Sequence, residues 1–424
     1  MIQNTSITIH RDYLEDYLSL KGCAAVAVFY EERYSFDDPD FDKVLGNREG
    51  AEFKLPGRTL LLTRVDKQTQ KPATQFTRIW GCRLILNPTR RPISNEQEPV
   101  LLWPDHEKPV ALKQAQEVFG LLPQIYVRDE VLKAYEGKDE FTVHPESGNV
   151  SYGSRWSTSR SYRLGRHHIV IDLKGLYEGT PPYVIRHFNK FSVPKAEAER
   201  DRKVNGDCHI GQRSRDLIYT YLQFTESLTL LADRVGLFLE QKDIGGFSKK
   251  EIEYHGWWTM ETLKQLGYLV SLEITFPEFL GRCMDLFKLL EHLKPGPLKQ
   301  ILKRLGMPKT EFSSLGTLRL LGTLCQLAKI AKDNGEDLID DFTSIHADWD
   351  ERVELEELSP LFALNSLRNI EGHITGQDSQ IRLEKALEVL GIDSQKTLNG
   401  WGYALDRVYD KLAIALSKID PSVL

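Results

Sequence analysis

Cysteine is scarce in this chain and never paired at short range. The five residues Cys23, Cys82, Cys208, Cys283 and Cys325 are scattered, odd in number and without a CxxC pair. That spacing argues against a disulfide framework and a thiolate zinc site, and it predicts reduced, mostly buried thiols. Long apolar runs are missing too. Residues 24–30 form one of the longest, and at strand length they fall far short of a membrane span. The first residues, Met1 to Thr5, show neither a basic n-region nor an apolar h-region. No export signal is therefore expected, and the reading is a cytoplasmic protein with no membrane partner. There is no P-loop, no GxGxxG after a strand, no HExxH and no GxSxG. Cys208-His209 resembles half of a metal site without its other half. No metal and no cofactor are expected, and no pair of catalytic carboxylates stands out from the 61 acidic residues.

What is present describes an ordinary folded chain. Over 424 residues it is 41% hydrophobic and 27% charged, enough for real cores and for two domains. The net charge of −6 argues against a generalised nucleic-acid binder, so any such contact must come from a local patch.

The two halves differ in pattern, and the expected fold class is α+β. The first half reads as mixed and strand-rich. A short helix near Tyr13 leads to the apolar run 24–30, followed by strand candidates at 59–63, 76–86, 99–103 and 162–173 and helical patches at 112–118 and 130–135. From Asp207 onward, apolar residues recur at spacings of three and four, as in Leu217, Ile218, Tyr221, Leu222, Thr225 and Leu228. Further helices are predicted over 257–293 (broken near Pro277), 298–305, 315–334, 360–375, 380–390 and 401–416. The charged stretch 195–203 is read as the hinge. It divides a strand-rich sensing or substrate-positioning domain, 1–205, from an all-helical domain, 206–424.

Chemistry concentrates in Arg368-Asn369-Ile370-Glu371-Gly372-His373, an Arg-x-x-x-x-His element inside a helical pattern that starts at Ser359-Pro360. Breaking an RNA backbone without a metal needs a permanent cation for the phosphate, an imidazole to move protons near neutral pH, and an amide to orient one of them. Arg368, His373 and Asn369 are those three groups. On one helix Asn369 and His373 share a face, whereas Arg368 and His373 stand about 140° apart. A second copy packed across a two-fold axis would complete a shared phosphate pocket. The pattern alone is common: a chain with 11 histidines should show about one by accident. A second instance does occur, from Arg163 to His168, along with a looser pairing of Arg202 with His209.

Taken together, LNSLRNIEGH (364–373) and the amphipathic RLEKALEVLG (382–391) resemble the HEPN superfamily, the helical domains of many toxins and abortive-infection RNases. The resemblance covers about the last third of the chain and rests on one short diagnostic string. It implies a metal-independent endoribonuclease acting as a homodimer through the C-terminal domain, with Arg368, Asn369 and His373 as catalytic residues. It further implies RNA, tRNA included, as target, a role in phage defence or toxin-like growth arrest, and a phage trigger or an antitoxin as partner.

The rival reading is a non-catalytic binding protein, its helical half a dimerisation platform and its N-terminal domain recognising a nucleic acid, a nucleotide or a phage component. The carrier of that recognition would be the basic stretch 155–168. Arg155, Trp156, Arg160, Arg163 and Arg166 combine guanidinium groups for phosphates with an aromatic ring for an unpaired base, on what reads as an exposed loop. Another candidate recognition surface, Glu253-Tyr254-His255-Gly256-Trp257-Trp258, reads instead as a helix start with buried tryptophans.

Overall fold

In the computed structural model the described residues are 8–21, 23–36, 38–65, 74–87, 99–117, 123–370 and 377–419. The chain is α+β, with antiparallel sheets in its N-terminal half and helices in its C-terminal half. It separates into two compact units, 1–97 and 98–424.

The first unit contains helix α1 (Arg11–Lys21), strand β1 (Ala25–Ser35), helix α2 (Pro39–Leu45), and strands β2 (Gly50–Leu55), β3 (Arg58–Val65) and β4 (Thr74–Leu86). The strands form one antiparallel sheet in the order β1-β4-β3-β2, with Val28 opposite Cys82 and Thr59 opposite Trp80. Its core is small. Phe41, Leu45 and Leu62 are buried together, and Ala51, Phe53 and Leu60 pack around them. Asp38 caps α2 by accepting hydrogen bonds from the Asp40 and Phe41 amides. Cys23 and Cys82 are exposed, against the expectation of mostly buried thiols, while Cys283 and Cys325 are buried.

The second unit begins with short elements: α3 (Leu112–Glu117), β5 (Gln124–Arg128), a 3-10 turn (Asp129–Ala134), β6 (Thr142–His144), β7 (Asn149–Tyr152), β8 (Trp156–Ser157), β9 (Ser161–Leu164) and β10 (His168–Asp172). Then come α4 (Leu173–Tyr177), α5 (Pro182–Lys190), β11 (Ser192–Val193) and α6 (Lys195–Asn205). One sheet runs β11-β5-β10-β9 and a smaller one β6-β7-β8. Ile125, Val127, Ile169 and Ile171 fill the interior of the larger sheet, beside Leu173, Leu176 and Phe188. The predicted strand at 99–103 shrinks to a single bridge between Leu101 and Val110.

Helices complete the unit: α7 (Ile210–Arg234), α8 (Gln241–Gly245), α9 (Lys249–His255), α10 (Phe276–Glu291), α11 (Pro295–Leu305), α12 (Lys309–Phe312), α13 (Thr317–Asn334), α14 (Phe342–Ala347), α15 (Ser359–Ile370), α16 (Gln377–Val389) and α17 (Gly402–Lys418). The periodic apolar residues of α7 are its buried face, packed on α17 in one continuous core that also takes in α10, α13 and α15. Pro277 does not break a helix. It stands in the first turn of α10, behind a capping box in which Thr275 and Glu278 exchange hydrogen bonds. Among the described residues no helix is long and apolar enough to cross a membrane.

The expected hinge at 195–203 is the helix α6, and residues 98–205 pack with the helices instead of standing apart from them. The physical reason is a set of buried cross-links. Arg166, 1% exposed, makes a two-pronged ion pair with Asp406 of α17, its Nε and Nη2 donating to the two carboxylate oxygens at 2.8 and 3.0 Å. The buried Trp257 donates its indole N–H to Glu146 at 3.1 Å, and Glu146 also meets Arg215 of α7 at 3.4 Å. Gly211 lets the first turn of α7 close on Pro145, where a Cβ would stand 2.4 Å from the carbonyl oxygen. No side chain fits there without moving backbone.

Candidate functional site

Arg368 and Asn369 stand in the last described turn of α15, a helix the sequence predicts from its Ser359-Pro360 start. Leu361, Leu364, Leu367 and Ile370 bury one face of that helix, so Arg368 and Asn369 are left exposed. Residue 373 lies outside the described residues, and the third member of the predicted triad therefore has no place in the geometry that follows.

The Arg368 guanidinium reaches across to α10. It lies over the Phe287 ring at 4.5 Å and forms an ion pair with Glu291, Nη2 standing 2.8 Å from Oε1. Phe287 and Glu291 stand four residues apart, on one face of α10, so a single helical turn supplies both contacts. The ion pair is open to water, with side-chain exposures of 43% for Arg368 and 47% for Glu291. A pair this solvated is worth little in stability, about 0–1 kcal/mol.

The two helices border a groove of about 690 Å³, with Phe287, Leu290, Leu315 and Phe362 as its apolar lining and Arg319 and Arg368 as its cations. It shares Leu315, Arg319, Glu351, Glu354 and Phe362 with a second hollow of about 380 Å³ that reaches Arg352. The first turn of α13 also enters, and its N-cap, Gly316, gives the backbone no side-chain acceptor. Unfilled amides at a helix start favour an anion. The carboxylates Glu291, Glu351 and Glu354 set a limit on that preference. Nothing in the sequence singles out Phe287, Glu291 or Arg319, because their partners lie dozens of residues away.

The basic stretch behaves otherwise than predicted. It is not an exposed loop, since β8, β9 and β10 run through it. Arg163 is paired with Asp129, both nearly fully buried, and Arg166 is locked to Asp406. Trp156 is buried in the core against Tyr135 and Phe141 and offers no face to a base. Arg155 and Arg160 stay exposed, Arg155 over the Tyr152 ring at 5.2 Å. Two arginines out of four therefore remain for phosphate contact, and the stretch as a whole is a structural element.

His209 belongs to the same buried cluster. Its Nδ1 accepts the Gln212 amide at 3.1 Å and so caps α7. Burial, then the neighbouring Arg163, Arg166 and Arg213, hold its pKa down at about 3, so it is neutral. Arg213 in turn is paired with Asp410 and lies near Asp406. His255 ends α9, and Gly256 stops that helix before the buried Trp257, so this segment is a helix end where a start was expected.

No protein-family model, curated protein or solved structure matches this chain.

Proposed function

We propose that the helical half is a metal-independent endoribonuclease of the HEPN type. The observation that carries this reading is the placement of Arg368: half-exposed at the edge of a long groove, propped on Phe287 and held by one solvated carboxylate. An RNA phosphate, which a guanidinium can grip with two charge-assisted hydrogen bonds, competes well against so weak a partner. In this reading the 2′-OH attacks the adjacent phosphorus, the P–O5′ bond breaks, and a 2′,3′-cyclic phosphate and a 5′-OH result. Arg368 stabilises the charge gathering on the phosphate. His373 takes the 2′-OH proton or delivers one to O5′, and Asn369 orients its ring. RNA supplies its own nucleophile.

On a helix carried through to residue 373, Arg368 and His373 would point about 140° apart, so the active form in this reading is a homodimer through the C-terminal domain. The setting is cytoplasmic phage defence or toxin-like arrest, with a phage trigger or an antitoxin in control. The test is incubation of the full chain with total RNA in EDTA, with His373→Ala and Arg368→Ala alongside. Cleavage leaving cyclic or 3′-phosphate ends, lost in both variants, is the expected result. Cleavage that EDTA abolishes and a divalent ion restores, or that both variants retain, sinks the mechanism.

A further inference from the structure

A separate cavity of about 260 Å³ lies in the second unit, between the segment after the 3-10 turn and residues 258–268. We propose that it binds the head group of a small alkylammonium ion, with Glu136 as the counter-ion. Phe141, Trp258, Tyr268 and the edge of Tyr135 form its walls. Trp258 is set in place by the His144 ring, 3.9 Å away between centroids. Aromatic faces carry negative potential and attract ammonium groups, most strongly where water is excluded.

Glu136 is one of the lining residues, and its carboxylate is under-used. Both Glu136 oxygens lie 3.0 Å from the single amide of Leu269, and no other hydrogen bond to them is present among the described residues. An ionised carboxylate has room for about four. The cations nearby are already engaged, Lys138 by donating to the Ala134 carbonyl at 2.6 Å. Lys264 meets Glu261 at 2.7 Å and Asp139 at 3.9 Å, Arg163 is paired with Asp129, and Arg282 donates to the carbonyls of Gln265, Leu266 and Tyr268. Burial pushes the Glu136 carboxyl up to about 7, with the Leu269 amide and then Arg163 and Arg282 pulling it down. A bound cation supplies the compensation that the protein itself leaves incomplete.

Size and chemistry narrow the class. The volume of about 260 Å³ falls below the usual range of about 300–1,000 Å³ for drug-sized ligands, which suits a head group better than a nucleotide. A guanidinium carries five N–H donors, more than the lone under-used carboxylate of Glu136 can satisfy, and Asp139 and Glu261 already face Lys264. An ammonium needs fewer, and a quaternary one needs rings and a charge.

The full chain at pH 8 should be titrated calorimetrically with choline at constant ionic strength, beside its uncharged isostere 3,3-dimethyl-1-butanol. Saturable binding to one site with a Kd of about 1–10 mM or tighter is expected, with the isostere at least about ten-fold weaker. Glu136→Gln keeps the volume and an acceptor for Leu269, and it should weaken choline by about ten-fold or more. Equal binding of choline and isostere, or no saturation by about 50 mM, overturns the proposal whether or not the variant folds. A folded variant that binds choline like the wild type overturns the role of Glu136.

Discussion

The chain spells Arg-x-x-x-x-His twice, and the two copies meet opposite physical fates. Arg163 and His168 sit in the β9–β10 hairpin, both almost without solvent, with Arg163 paired to Asp129. Arg368 stands in the last described turn of α15, half in water, and leans on a ring and a carboxylate of the neighbouring helix. In the hairpin each buried arginine is matched to its own acid, Arg163 to Asp129 and Arg166 to Asp406, and beside it Arg213 of α7 is matched to Asp410. The charges are neutralised inside the fold, while Arg163 Nε, Arg166 Nη1 and both His168 ring nitrogens are buried without a hydrogen-bond partner. At Arg368 the compensation is solvated and replaceable. The same string thus reads as scaffold where it is desolvated and neutralised, and as a candidate site where a cation is held loosely at a groove.

The sharpest way to break that contrast is to remove one partner of a buried pair. Asp406→Ala leaves Arg166 without a counter-charge in the interior and should cost about 3–5 kcal/mol, while Arg166→Ala, which leaves Asp406 near Arg213 at 3.7 Å, should cost less. The double variant Arg166→Met with Asp406→Leu should recover much of that loss. Denaturant midpoints of the full chain measure both. Single-variant losses below about 1 kcal/mol would place the hairpin arginines in the same loose class as Arg368.

Acid should expose the same cluster. His209 has an ordinary pKa of 6.5 and is held at about 3 when folded. The unfolded chain therefore takes the proton first, and stability that is full above pH 6.5 drains away as the pH falls toward 3. His209→Asn keeps an N-cap acceptor without a titrating ring and should flatten the fall in melting temperature between pH 7 and 4. Glu136 works in the opposite sense. Held at about 7 against an ordinary 4.5, its contribution is present below pH 4.5 and lost as pH rises through 7. Glu136→Gln should therefore gain on the wild type over that interval. A variant whose pH profile parallels the wild type at either position contradicts the assignment.

Arg368→Ala supplies the other side of the comparison. Its ion pair is half exposed and its ring contact is single, so stability should change by no more than about 1 kcal/mol. On the proposed function, RNA cleavage should nevertheless fall by about 10²–10³-fold, the scale on which removing a preorganised charge stabiliser acts. A variant that loses several kcal/mol of stability instead makes Arg368 another scaffold arginine. Melting curves and a fluorescent RNA assay on the same preparation separate the outcomes.

Legibility in the sequence followed the range of the interactions. The helices from α7 to α17 were readable because apolar residues at three- and four-residue spacing are a local signal, and Ser359-Pro360 marked the start of α15. Arg368 was singled out as a candidate by its own neighbours in the chain. The role of Arg166 was not readable, since Asp406 stands 240 residues away and the Gly165-Arg166 turn looks like any polar loop. The division between units was missed for the same reason. The charged run 195–203 has the composition of a linker, but Ala198 is buried and Asp201 reaches His167 at 3.1 Å, which makes the run a packed helix. Phe287 and Glu291 carried no signal at all, because one helical turn with an aromatic and an acid is unremarkable until another helix is laid against it.

The smallest expected effect is the one that bears most directly on how Arg368 is held. Glu291→Gln removes the charge facing Arg368 but keeps an acceptor at the same reach, so the guanidinium should stay over Phe287. Since the pair is exposed on both sides, stability should shift by less than about 0.5–1 kcal/mol. In the proposed function Glu291 competes with the RNA phosphate for the same donors. Removing its charge should then raise RNA affinity by about two- to five-fold, the equivalent of one surface ion pair. The gain should shrink as salt rises from about 50 to 200 mM, because the charge removed acts through screened solvent. A fall in affinity would mean the reverse relation, with Glu291 aiming Arg368 into the groove rather than guarding it. Fluorescence anisotropy with a short single-stranded RNA, read on the non-cleaving His373→Ala background, distinguishes the two.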